Sequence, residues 1–212
     1  MKSGCNDYTC MLDNHYYQLG SRIEQRGVKT ISKVIIGISL LASVAVVNAG
    51  TTTNLPTDDA KVSSFAPLNN YGSSSSRGGL AAGCLYNPSF GFTAADRFYL
   101  RFALPSFQNY TEISSATLVG YHVDDWDPTD NRILSMFPAV SDVWSEASIT
   151  WSSQPGLITT QPSLGIFDST QTPVGTYAYW DLTEIVNQKY KTAGVLSIGF
   201  METKHNVLIV CA

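Results

Sequence analysis

Apolar positions recur along this chain in three ways: at period two, at a helical period, and in one continuous run, and each predicts a different element. From Gly50 onward, short stretches alternate apolar and polar residues and are parted by turn residues, the pattern of an all-β sandwich or jelly roll. Ala60-Lys61-Val62 begins the first extended segment. Between Arg97 and Leu104, the residues Phe98, Leu100, Phe102 and Leu104 share one face of a strand, and Arg97, Tyr99 and Arg101 share the other. Ala116 to Val123 alternates similarly, Ile133 to Val140 gives a further strand, and Val195 to Phe200 and Val207 to Val210 close the series. A single helix is predicted from Asp181 to Tyr190. Asp181 stands at a capping position with Glu184 three residues on, Leu182, Ile185, Val186 and Tyr190 form one stripe, and Gly194 supplies the stop. Pro67 to Gly79, rich in Gly, Ser and Asn, reads as a long loop.

The continuous run is Val34 to Val47, an apolar stretch of 14 residues preceded by Lys29 and Lys33 and followed by Asn48-Ala49-Gly50. A basic flank, a short apolar stretch and a small-x-small site describe a secretory signal peptide, and the run falls short of the roughly 20 residues that span a bilayer. The expected organisation follows. Residues 1–27 are a mis-called extension ahead of a start at Val28, 28–49 the signal peptide, 50–57 an N-terminal arm, and 58–212 one domain. A cytoplasmic tail on a membrane-held protein is the competing reading. Cleavage after Ala49 leaves 163 of the 212 residues, with no membrane attachment and a location outside the cell or on its surface.

Charge narrows the function. Charged residues make up 14% of the chain, against roughly 25% in an average protein, which excludes disorder by charge excess. The net charge of −4 and pI near 5.2 become a net −6 after Ala49, from 8 Lys/Arg against 14 Asp/Glu. With no Lys/Arg run, a nucleic-acid partner is excluded on electrostatic grounds. Export leaves two of the cysteines, Cys84 and Cys211, to form one bridge or to remain as buried thiols. A bridge would close a loop of over a hundred residues, worth about 4.7 kcal/mol in the chain-entropy account. Asn109-Tyr110-Thr111 is a glycosylation sequon wherever the host modifies exported chains.

Five segments in one order resemble the DNRLRE domain family, described also as disaggregatase-related or family-96-like carbohydrate-binding modules. They are Ala60 to Gly72 with its Pro-x-Asn-Asn-Tyr-Gly, Arg97-Phe98-Tyr99-Leu100-Arg101-Phe102, Ile113 to Leu118, Val143 to Pro155, and Trp180 to Val186. Met201 to Asn206 departs from the family's usual turn into its last strand. The resemblance covers residues 58 to 210 and implies a jelly-roll β-sandwich on secreted or surface proteins, often appended to polysaccharide-acting enzymes. Glycan binding without catalysis is the activity it implies.

The residues themselves offer several places for such a ligand. Trp144 and Trp151 read either as sugar-stacking faces or as core and corner residues, with Glu146, Thr150 and Gln154 fixing the connection; the bulk of a Trp favours the core. His122 to Asn131 gathers four carboxylates and Trp126 between two strands. Trp126, set among Asp and Pro with little core to enter, is the first candidate for a sugar platform, with Tyr121 and Asp125 next. Arg97 and Arg101, read as facing outward, are the candidate patch for uronate charges. Asn69 and Asn70, with Asp58 and Asp59, could hold a structural Ca²⁺ through oxygen ligands, or the same loop is a turn with Gly72 at positive φ. Catalysis has little support: no G-x-S-x-G, H-E-x-x-H or phosphate loop exists, and a lyase site drawn from Tyr121, His122 and Arg101 has nothing to bring it into one cleft. Polysaccharide binding is the expected function. The alternative is a structural surface, matrix or filament subunit that self-associates when its arm adds a strand to a neighbour's sheet.

Overall fold

A computed structural model of the chain describes residues 18–22, 51–72, 80–87, 92–104, 112–123 and 132–205. The elements in chain order are β1 (Gln18–Arg22), β2 (Thr51–Asn54), β3 (Asp58–Ser63), β4 (Gly83–Asn87), β5 (Phe92–Ala103), β6 (Thr117–Tyr121), β7 (Arg132–Pro138), β8 (Gly165–Asp168), β9 (Tyr177–Asp181), α1 (Thr183–Thr192) and β10 (Val195–His205). They form two antiparallel sheets. The smaller has the order β2-β1-β6-β9; the larger runs β3-β5-β10-β7-β8, with β4 paired to the first half of β5. The predicted all-β sandwich with one short helix is the observed architecture. Residues 28–49, expected to be a signal peptide, and the predicted strand from Val207 to Val210 lie outside the described residues.

The main core forms where the alternation predicts it. Phe98, Leu100 and Phe102 of β5 meet Leu196, Ile198 and Phe200 of β10 and Leu118 of β6, and Leu182 at the helix N-cap and Val186 within the helix join the same cluster. Burial of such side chains contributes roughly 1.5–3 kcal/mol each, which fixes strand register because a one-residue slip would turn the whole set outward. The helix begins one residue later than the predicted cap: Leu182 stands at the N-cap with no side-chain cap bond, and Asp181 Oδ1, just ahead of it, accepts from the Thr183 hydroxyl and N–H, which holds its carboxyl below the usual range. Gly194, at φ +65, ends it. Met201 to Asn206, the segment departing from the family pattern, continues β10 as far as His205, with a register shift between Glu202 and Lys204.

The helix is clamped to the segment ahead of β6 by two side chains, Thr183, whose Oγ1 accepts the Ala116 N–H, and Asn187. Asn187 Oδ1 accepts the Ile113 N–H at 2.8 Å and its Nδ2 donates to the Ile113 carbonyl at 2.7 Å. Ile113 is buried, so Asn187→Ala strands two backbone groups away from water. A loss of about 2–3 kcal/mol is expected, seen as a lower denaturant midpoint at unchanged slope.

Besides β4, β8 and β9, which the alternation does not single out, two features differ from the sequence expectation. The face of β5 carrying Arg97, Tyr99 and Arg101 is covered: Ala60, Val62, Tyr99, Trp144 and Ile149 form a second core with Trp151 and Leu157 packed against it. The sheet is apolar on both sides because the segment from Ala139 to Leu157 folds back over it. Gly199 of β10, in register with Tyr99, makes room for this cover; a Cβ there would sit 2.6 Å from Leu157 Cδ2 and 2.9 Å from the Tyr99 ring. The second feature is β1. Residues 18–22 show no apolar alternation, yet they pair antiparallel with both β2 and β6, because backbone pairing to an open edge needs no side-chain pattern.

Candidate functional site

The smaller sheet presents an exposed aromatic row. Along β9 exposure alternates, so Tyr177, Tyr179 and Asp181 point to solvent while Ala178 and Trp180 point inward. Trp180 packs edge-on to Phe200 and donates its indole N–H to the Ile166 carbonyl at 2.9 Å, which pins the strand and holds its outer face fixed. Register sets Tyr121 of β6 opposite Tyr177 and Val119 opposite Tyr179. The rings of Tyr121 and Tyr177 lie 4.9 Å apart, and those of Tyr177 and Tyr179 6.5 Å. Tyr177 is 57% exposed and Tyr179 66%, so large rings stand in water with their faces unpaid by burial, the arrangement that stacks on the apolar faces of sugar rings while the hydroxyls bond to sugar oxygens.

His122 holds one end of this row. Its ring is buried, its Nδ1 is 2.7 Å from the Thr172 carbonyl, and it meets Phe167 edge-on. Its backbone N–H donates to Thr176 and its carbonyl accepts from Gly175, so the turn leading into Tyr177 is tied to the strand end carrying Tyr121. His122 is thus a positioning residue. Trp126 and Asp125, the leading sequence candidates, fall in residues 124–131, outside the described residues, as does Asn109. In sequence, that stretch begins three residues after Tyr121. Tyr177 and Tyr179 were missed by the sequence reading, although the Tyr-x-Tyr alternation before Trp180-Asp181 was the available signal.

Arg97 and Arg101 have other partners. The Arg101 guanidinium donates to the Trp144 carbonyl and pairs with Asp58 Oδ2 at 3.2 Å, and the Arg97 guanidinium lies 4.8 Å over the Trp151 ring. Their face is the one covered by the second core, so they do not form the open cationic patch expected of an uncovered strand face. Trp144 and Trp151 take the core and corner roles: Trp144 donates to Ser197 Oγ at 3.1 Å and Trp151 packs beside it.

Beside this network is a concentration of oxygens. Asp58 is committed, since its Oδ1 also accepts the Glu146 N–H. Asp59 Oδ1 is buried with no hydrogen-bond partner. Burial first, then the nearby charges of Glu146 and Asp58, push the Asp59 carboxyl up to about 6. Asn70 donates its amide to the Glu146 and Ile149 carbonyls at 2.7 and 2.8 Å. Its Oδ1 and Glu146 Oε1 both lie within 4.0 Å of the position a Cβ on Gly72 would take. Asn69 is exposed and its N–H closes a turn onto Ala66. Gly72 has φ +56, the left-handed turn the sequence predicts. Among the described residues no three His, Cys, Asp or Glu side chains converge as metal ligands. Cys84 is disulfide-bonded, its N–H donates to Glu202, and Cys211 lies outside the described residues.

A two-sheet sandwich with a fixed, solvent-facing aromatic row has the construction of a ligand-binding module. The chain matches the family described as carbohydrate-binding module family 96 over residues 50–210 and belongs to that family. No curated protein matches it. Membership makes the domain a carbohydrate-binding module, a class of binding rather than catalytic domains.

Proposed function

We propose that the chain is exported, loses its leader after Ala49, and acts without catalysis by docking an extracellular or cell-surface polysaccharide on the row Tyr121, Tyr177 and Tyr179, with Trp126 and Asp125 at its end. The observation that carries the reading is the exposure of two tyrosines on a strand whose other face is half-buried and pinned by Trp180. Affinity electrophoresis of the processed protein through neutral and uronic-acid polysaccharides tests it. Retardation by one glycan is expected, and its absence across the panel overturns the reading. The same processing leaves Cys211 as the partner for Cys84.

A structural calcium ion accompanies this reading. Asp59 and Glu146 carboxylates with the Asn70 amide oxygen and loop carbonyls supply the mixed oxygen set that Ca²⁺ takes. Without the ion, Asp59 obeys a definite sign. Its folded value lies above its unfolded one, so its contribution is most favourable below about pH 4 and is lost as pH rises through about 6. Solvent still reaches the side chain, which reduces the effect. Asp59→Asn should therefore raise stability at pH 7.5 in chelator by about 1–2 kcal/mol and flatten the slope between pH 4 and 6. Added calcium should reverse the ranking, raising the melting temperature of the wild type and not of the variant; no calcium shift in the wild type removes the ion from the account.

A further inference from the structure

The slot of the small sheet beside β6 is filled by β1, which lies ahead of the proposed cleavage site. β6 pairs with β9 on one edge and with β1 on the other, in the register Gln18↔Val119, Leu19↔Leu118 and Gly20↔Thr117. β2 stands at the end of the sheet and pairs with β1. Cleavage after Ala49 would detach β1 from the chain and take away the strand that pairs with Thr117–Val119 of β6 and with the Thr51–Asn54 arm. Nothing in Thr117-Leu118-Val119-Gly120-Tyr121 protects the β6 edge, since it holds no charge and no Pro.

We propose that in the processed protein the β6 edge takes the Thr51–Asn54 arm of a second copy of this chain, antiparallel, in the place β1 holds. The inference rests on the proposed leader cleavage and is independent of the glycan reading. Geometry favours the neighbour's arm over the molecule's own. β2 and β6 are both antiparallel to β1, so they run parallel to each other. Residues 55–57 alone join the arm to β3, and the Thr57 N–H is bonded to the Arg101 carbonyl at 2.7 Å. The tether fixes the arm's direction, so self-insertion would have to be parallel and displaced by about one strand spacing of 4.8 Å. An arm from another copy is free to enter antiparallel, the better-paired arrangement. Its three consecutive threonines are β-branched residues suited to a strand. Reciprocal exchange closes a dimer and one-way exchange propagates a filament. Either sets tyrosine rows side by side and multiplies affinity for a repeating polymer.

The full chain, expressed in an exporting host and collected as the secreted product, tests this. Intact mass should place the N-terminus at Gly50. Sedimentation velocity over about 1 to 100 µM should show dimers or polymers growing with concentration. Thr53→Pro should weaken association at least about tenfold, and deleting residues 51–54 should abolish it, both with wild-type circular dichroism; Pro removes a ladder donor and suits no paired strand. An N-terminus that retains residues 18–22, a monomer at every concentration, or association indifferent to the deletion overturns the proposal.

Discussion

Alanine at Tyr177 and Tyr179 together should weaken polysaccharide binding about 30-fold and shift the melting temperature by no more than about 2 °C. Each ring is more than half exposed, so its removal opens no cavity, and surface changes of this kind stay within about 0.5 kcal/mol. The binding loss follows from about 1 kcal/mol of aromatic stacking per ring, where each 1.4 kcal/mol is tenfold. Tyr179→Phe separates the two parts of the ring's work, since it keeps the face and deletes the hydroxyl, and should retain most of the affinity. Retardation of the bound glycan in affinity gels, with a melting curve on the same samples, reads both quantities. If the double variant binds like wild type while Trp126→Ala does not bind, the row is not the platform and the site moves to residues 124–131.

Tyr99→Ala should cost about 3–5 kcal/mol, a large part of the 5–15 kcal/mol that holds an ordinary domain. The ring is fully buried between Gly199 and the segment covering the sheet, meets Trp144 edge-on at 6.0 Å, and directs its hydroxyl to Gln154 Oε1 at 2.7 Å and the Pro155 carbonyl at 2.9 Å. Burial pushes the hydroxyl up to about 12, so it stays a protonated donor throughout the neutral range. Alanine leaves a cavity and two acceptors without their donor, whereas Tyr99→Phe keeps the packing and should lose about 1–2 kcal/mol. Urea unfolding of the two variants measures the difference. A cost under about 1 kcal/mol for Tyr99→Ala would mean that residues 139–157 lie over the sheet without belonging to its cooperative unit.

Period-two alternation placed β3, β5, β6, β7 and the first half of β10 because each side chain's face follows from backbone pleat alone. Phe98, Leu100 and Phe102 were therefore legible as core before any partner was known, and Leu182, Ile185 and Val186 were legible as a helical stripe through the same kind of local geometry. Alternation separates two faces of a strand but does not say what covers each. Arg97, Tyr99 and Arg101 read as an outer face, and the cover that buries Tyr99 arrives from Trp144 to Leu157, more than forty residues later in the chain. Tyr177 and Tyr179 carry the reverse lesson, since a Tyr-x-Tyr strand is equally compatible with a core, and it is the packing of Trp180 against Phe200 that turns the tyrosines outward. The buried Asp59 carboxylate and the pairing of residues 18–22 with β6 depend on long-range assembly in the same way. Sequence alone thus determined the strands that alternate, the helix and the family, because these rest on local period and ordered motifs. Tertiary structure alone decided which faces meet water, and with them the binding row, because exposure is set by contacts between segments distant in the chain.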